Sequence, residues 1–263
     1  MPSPARATRA APDRASCRAR LESGDSLACA WLAMGSPALV EAAAHAGPDL
    51  LVLDLQHGLF DRRDLEAAIG AVRGDVPVLV RVAENRPLAI GTALDAGAEG
   101  VIVPLVESAE EAAAAVSAAR YPPHGIRSGG GVRPLADFAA YVAGCARDTL
   151  VAVMIETKAG LENAAAIAAV PGVDLVFIGT GDLVLCLGPD GDVKARCEEA
   201  CAAIHAACEA AGTPCGIFTP DVDAALARRA EGYRLVVAAN DIAVVNEGFR
   251  RAAAAFAPAE ARR

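Results

Sequence analysis

Eight short apolar runs, separated by longer alanine-rich stretches, constrain the fold of this chain more than any other feature. They are Leu27–Leu32, Leu50–Asp54, Val76–Arg81, Gly100–Val103, Leu150–Ile155, Leu175–Ile178, Pro214–Phe218 and Leu235–Ala239. The runs are nearly continuous rather than alternating with polar residues, as expected of strands covered on both faces. Between them, segments such as Asp64–Val72, Ala109–Arg120 and Asp221–Glu231 carry Ala and Leu at helical spacing with charges on the other face. Eight β–α alternations predict an α/β fold, a single closed (β/α)8 barrel, with an open doubly wound sheet as the alternative. The 263 residues suffice for one such barrel. We read residues 18–258 as the barrel domain and residues 1–17, rich in Arg, Ala and Pro, as a disordered extension. With 54% apolar but only 4% aromatic residues, Ala, Val and Leu must do most of the packing.

The formal net charge of −9 argues against nucleic acid and anionic membrane surfaces as partners, since both need basic patches. It leaves room for a small anionic substrate held locally by one arginine and a metal. Eight cysteines lie scattered without a CxxC pair, the usage of reduced core residues in a cytoplasmic protein. No apolar run reaches the length of a membrane span, and the amino terminus lacks the apolar stretch of a secretory signal.

A barrel of this kind gathers its active site at the carboxyl ends of the strands, so polar residues that end an apolar run are the ones to inspect. Glu156 and Asp182 follow the fifth and sixth runs. Two carboxylates on neighbouring strands suit a hard divalent cation, although solvated rim carboxylates would look the same. Arg81 ends the third run and needs an anion there, either substrate or a salt-bridge partner. His57 sits in LDLQHG on a turn after the second run, as a base or as a passive polar residue. Asp95, in ALDAGAEG before the fourth run, is placed to orient His57 or simply to end a helix. The long connection Tyr121–Asp148 has the Pro, Gly and Arg content of a lid or binding loop. Cys197, Cys201, His205 and Cys208 line one helix face but span about 16 Å, too far to surround one zinc, so they are read as packing.

Together these segments resemble the HpcH/HpaI aldolases, class II pyruvate aldolases related to citrate lyase β subunits. The likeness runs over about residues 20–255. It rests on LVLDLQHGLFD (51–61), PVLVRV (77–82), ALDAGAEGVIVPLVESAEEA (93–112), RYPPHGIRSGG (120–130) and MIETKAGLENAAAIAAVPGVDLVFIGTGDL (154–183) in that order, with Gly188. The resemblance implies that Glu156 and Asp182 bind a divalent metal (Mg²⁺, Mn²⁺ or Co²⁺). It makes His57 the acid/base residue with Asp95 as its partner, and brings Arg81 to the keto oxygen. Gly179, Thr180, Gly181 and Asp182 match the loop that receives the substrate carboxylate, and Gln56 and Phe218 complete the expected substrate-binding set. The chain departs from the best-known members at Gln56, His124, Met154 and Thr180-Gly181, positions read as the rim of the pocket.

The implied reaction is a reversible aldol cleavage or addition between a 2-keto acid such as pyruvate and an aldehyde, through an enolate. Charge on that enolate is stabilised where it develops by the cation and Arg81. Lys158 and Lys194 are the only lysines and neither ends a strand run, which disfavours a Schiff-base route. Oxaloacetate decarboxylation or a malyl-type acyl-CoA cleavage would use the same site, and a non-catalytic barrel is the alternative of a different class. The resemblance also implies a homo-oligomer, a hexamer or trimer of dimers, with a last helix near Asp241–Phe256. Its stripe of Ile242, Val245, Phe249 and Ala253 would pack on a neighbour or on its own barrel.

Overall fold

The structure, a computed structural model, describes residues 14–72 and 76–256. Eight parallel strands close into one barrel in sequence order, each hydrogen-bonded to the next and β8 to β1. They are β1 (Leu27–Leu32), β2 (Leu50–Asp54), β3 (Val78–Arg81), β4 (Gly100–Val103), β5 (Leu150–Ile155), β6 (Leu175–Ile178), β7 (Cys215–Ile217) and β8 (Leu235–Asn240). All eight expected strands are present. Two start later than the apolar runs suggest, because Pro77 and Pro214 have no N–H to give a ladder.

Helices α1 (Cys17–Glu22), α2 (Pro37–His45), α3 (Arg62–Val72), α4 (Pro87–Asp95), α5 (Ala109–Ala119) and α6 (Phe138–Asp148) accompany the first half of the barrel. The second half carries α7 (Lys158–Glu162), α8 (Ala164–Ala168), α9 (Thr180–Leu187), α10 (Val193–Ala211), α11 (Val222–Ala230) and α12 (Asp241–Ala255). Side-chain caps set several of the starts, among them Ser36, Ser108, Asp192 and Asp221, each accepting from an amide three residues on.

The strand residues divide by twos. Leu27, Cys29, Trp31, Leu50, Val52, Leu79, Leu150, Ala152, Met154, Leu175 and Phe177 pack together inside the barrel. Their alternates, such as Leu51, Leu53, Val80, Val151 and Val153, pack against the helices. This double burial explains the continuous apolar runs. It also carries Asp54, Arg81, Glu156 and Gly179 onto the inward face at the carboxyl ends of β2, β3, β5 and β6, because each lies two residues past an inward side chain.

Of the expected amino-terminal extension, residues 1–13 lie outside the described residues. Arg14 pairs with Glu99 at 2.6 Å, and Ser16 caps α1. The segment Tyr121–Asp148 is not a lid over the site. It joins α5 to β5, so it crosses the amino-terminal face of the barrel, opposite the strand ends that carry Glu156 and Asp182, and it folds largely into α6. His124 goes with it, away from the pocket rim of its own barrel. All eight cysteines are free, and only Cys186 is exposed. Cys197, Cys201 and Cys208 are core residues of α10, and His205 packs on Tyr233 with ring centroids 4.3 Å apart.

Candidate active site

Glu156 follows β5 directly and is 1% exposed. Its Oε1 accepts the Leu105 amide at 2.9 Å, while Oε2 is buried with no hydrogen-bond partner. Leu105 adopts φ 55°, rare for a branched side chain, and its amide meets the carboxylate from that conformation. Burial pushes the Glu156 carboxyl up to about 7; the Leu105 amide opposes this and the nearby Asp182 charge adds to it. A buried carboxylate oxygen without a donor costs stability unless something positive meets it. The residues therefore suit a divalent cation, which would satisfy Oε2 and relieve the repulsion between the two carboxylates.

Asp182 lies in the first turn of α9, which begins as the chain leaves β6 through Gly179. Gly179 is required here, since a Cβ at this position would overlap Glu156 Oε2 and come within 2.6 Å of Met154 Cε. Gly179→Ala should displace the Glu156 carboxylate, and we expect it to abolish metal binding in a calorimetric titration while the barrel still folds. Thr180 donates its hydroxyl to the Phe218 carbonyl at 3.2 Å, which ties α9 to the end of β7. The first-turn amides of α9 have no partners within the helix, as at any helix start, and face the anion-favouring end of its dipole.

His57 is exposed on the β2–α3 loop, with Nε2 4.0 Å from Asp182 Oδ2. Gln56 beside it buries an Oε1 that has no partner. The expected pairing of His57 with Asp95 is not made within this chain. Asp95 ends α4 on the amino-terminal face of the barrel, where it accepts from Arg127 at 2.8 Å. A residue that closes a helix before a strand stands at the opposite end of the barrel from one that follows a strand, so the two cannot meet within one subunit.

A profile of the HpcH/HpaI aldolase/citrate lyase family matches residues 27–247. The chain belongs to this family. It is 38% identical over 238 residues to a hydroxypyruvate/pyruvate aldolase of Paraburkholderia phytofirmans, covering 86% of this chain and 91% of that protein. It is 37% identical over 227 residues to a 2-dehydro-3,6-dideoxy-6-sulfogluconate aldolase of Pseudomonas putida, covering 82% and 86%. The crystal structure of an HpcH/HpaI aldolase/citrate lyase family protein from Burkholderia cenocepacia superposes with a TM-score of 0.84 at 36% identity, covering 89% of this chain and 96% of that one. This HpcH/HpaI family member is thus an enzyme, a carbon–carbon lyase of the aldolase type, and the non-catalytic reading falls away.

In this aldolase two residues that the sequence leaves without a role, Asp54 and Trp31, hold Arg81 in place. Asp54, 2% exposed, lies in register with Arg81 on the adjacent strand. Arg81 Nε donates to Asp54 Oδ1 at 2.8 Å and Nη2 to Oδ2, a bidentate ion pair inside the barrel mouth. Burial alone would raise the Asp54 carboxyl, but the Arg81 hydrogen bonds and charge, with the His57 and Gln56 amides, hold it below the usual carboxylate range. The Trp31 indole lies 5.0 Å from the Arg81 guanidinium and packs between Phe177 and Phe218. Arg81 is therefore held on two sides, and its Nη1, 4.0 Å from Met154 Sδ, is the nitrogen left free of the ion pair. An aspartate that ends a wholly apolar run, with an arginine ending the next run, was the available signal; that the two are level is set by the strand register.

Proposed function

We propose that this enzyme is a divalent-metal-dependent aldolase that forms the enolate of a pyruvate-type 2-keto acid and joins it reversibly to an aldehyde. The observation that carries the reading is the buried, partnerless Oε2 of Glu156 beside Asp182. Glu156 and Asp182 would hold the metal, one of Mg²⁺, Mn²⁺ or Co²⁺. When bound, such an ion polarises the keto acid's carbonyl and so makes the adjacent C–H more acidic.

The chain's own groups supply the rest. Arg81, fixed by Asp54 and Trp31, directs Nη1 at the oxygen on which enolate charge develops. The amides at the start of α9, through Thr180, Gly181 and Asp182, receive the substrate carboxylate. His57, exposed at the mouth, takes the C3 proton in the addition direction. The enolate carbon then bonds to the aldehyde carbon, and the aldehyde oxygen takes up a proton. Cleavage reverses each transfer. Gln56, next to His57, and Phe218, packed on Trp31, complete the proposed substrate-binding set. Lys158 and Lys194 are exposed on helices, which favours this route over one through a lysine Schiff base.

The expected result is a pyruvate–aldehyde adduct, detected by mass spectrometry across an aldehyde panel and lost on chelation. No adduct from pyruvate or any other 2-keto acid would overturn the proposal.

The homo-oligomer belongs to the same proposal. Along α12, Ile242, Val244 and Phe249 are exposed, Phe249 by 73%, and Val245 is half-buried, so the apolar stripe is not covered by its own barrel. Next to α12 lies an apolar groove lined by Leu32, Leu39, Ala42 and Ala43. A second copy would cover both. Phe249→Glu is expected to shift the protein to a smaller species in light scattering. The free cysteines support a reducing compartment such as the cytoplasm. Among the described residues no helix is long and apolar enough to cross a membrane.

A further inference from the structure

Three loops meet where the barrel closes. The β1–β8 ladder shifts register between Cys29 and Ala30, and its last pair is Trp31 with Asn240. Beyond that pair a side chain takes over from the ladder. Asp241, the first residue of α12 and 6% exposed, accepts the Ala33 amide on both oxygens, at 3.1 and 3.0 Å. Its Oδ2 also accepts the Met34 amide at 2.9 Å, and Oδ1 accepts Ile242 N–H at 2.8 Å.

The Ala33–Met34 peptide is held from its other side as well. Its N–H goes to Asp241, and its carbonyl accepts the Leu59 amide at 2.8 Å. Leu59 lies two residues past His57, on the same loop. The two loops touch closely enough to exclude side chains between them. A Cβ on Gly35, whose φ is +68°, would come within 2.7 Å of the Leu59 carbonyl oxygen. A Cβ on Gly58 would overlap the Asp54 carbonyl and reach 3.1 Å from that of Ala33. One peptide group thus links a buried carboxylate to the loop that carries His57, and hydrogen bonds in such a chain polarise one another.

We propose that Asp241 is a positioning residue for His57, fixing the histidine's loop through the Ala33–Met34 peptide. The proposal rests on the reading of His57 as the proton-transfer group. The Asp241 carboxylate is taken up by the Ala33, Met34 and Ile242 amides rather than by Glu156 or Asp182, so its loss should impair proton transfer rather than binding.

The test compares Asp241→Asn with Asp137→Ala. The Asn amide group turns a donor toward backbone donors, whereas Asp137 caps α6 on the opposite face of the barrel. We expect Asp241→Asn to lower kcat for aldol cleavage ~10-fold or more, the range that misplacement of a catalytic group costs. KM for the keto acid and the metal concentration giving half-activity should stay unchanged. Asp137→Ala should keep kcat within ~2-fold at a comparable loss of Tm. Independently of turnover, the His57 ring resonance, assigned with His57→Gln, should move in Asp241→Asn and stay in place in Asp137→Ala. Gly35→Ala should repeat the kcat signature, with Gly24→Ala as its control, since Gly24 also has a positive φ, +91°, but nothing within 4 Å of a Cβ. That pair decides the matter if Asp241→Asn does not fold. Wild-type kcat and an unmoved His57 resonance in Asp241→Asn would overturn the proposal, as would equal losses in both members of the glycine pair. An inactive wild-type enzyme would instead count against the reading of the site, and the resonance comparison would still judge this one.

Discussion

Glu156→Gln is expected to fold as well as the wild type and to lose ~10³-fold or more in kcat/KM, because it removes the charge that the proposed reaction uses to stabilise its transition state. The substitution keeps the shape of the side chain and an oxygen to accept the Leu105 amide. What disappears is a buried carboxylate that burial and the Asp182 charge already drive toward protonation. Removing such a group relieves the apo protein, so Tm without added metal should be unchanged or higher. The metal-induced stabilisation expected of the wild type should vanish. Activity and stability therefore move in opposite directions, which separates a functional carboxylate from a structural one. A variant with wild-type kcat/KM would remove Glu156 from the mechanism.

Asp54→Ala should have the opposite profile and lose both properties. It strands the Arg81 guanidinium inside the barrel mouth, with Trp31 beside it and no carboxylate. Breaking a buried pair in this way typically costs ~3–5 kcal/mol. In a chain of this size that is roughly 10 °C of Tm. Arg81 would also lose the bidentate grip that aims Nη1, so activity should fall even at temperatures where the variant is folded. Arg81→Lys beside an intact Asp54 should lose the same grip, because an ammonium cannot make the parallel pair of bonds. The pH dependence follows from the sign of the shift. The folded-state pKa of Asp54 lies below its ordinary value, so the carboxylate contributes stability that is complete above pH ~4 and is lost as pH falls through the folded pKa. Asp54→Asn should lack that dependence, and its stability should converge with the wild type's toward low pH. Chemical denaturation at several pH values would show parallel curves if Asp54 were not engaged by Arg81.

The barrel was legible in the sequence because strands buried on both faces leave an unmistakable run of apolar residues. β1, β2, β4, β5 and β6 begin and end where those runs do. The inward direction of Arg81 and Glu156 was legible for the same reason, since each ends a run at the strand end where such barrels collect function. Asp54 went unassigned because its role depends on register. Nothing in LDLQHG says that its aspartate lies level with Arg81, and only the β2–β3 pairing reveals it. Trp31 was hidden among its apolar neighbours, and Asp241 reads as an ordinary helix start until its carboxylate is seen to accept the Ala33 and Met34 amides. Within one chain Asp95 does not reach His57, because nearness in sequence to a strand is not nearness to the strand's carboxyl end. A residue before a strand lies at the amino-terminal face, where Asp95 meets Arg127 instead. The same rule would have put Tyr121–Asp148 on that face, as a helix-to-strand connection.

The most direct test of the central claim is proton exchange at the methyl group of pyruvate. The purified enzyme is incubated with pyruvate and Mg²⁺ in D₂O, and the methyl signal is followed by proton NMR, with a chelator and Glu156→Gln in parallel. Loss of the signal that requires metal and is absent in the variant is the predicted result, and it reports enolate formation without any aldehyde. A methyl signal that persists in folded enzyme with bound metal would contradict pyruvate-type enolate chemistry at this site.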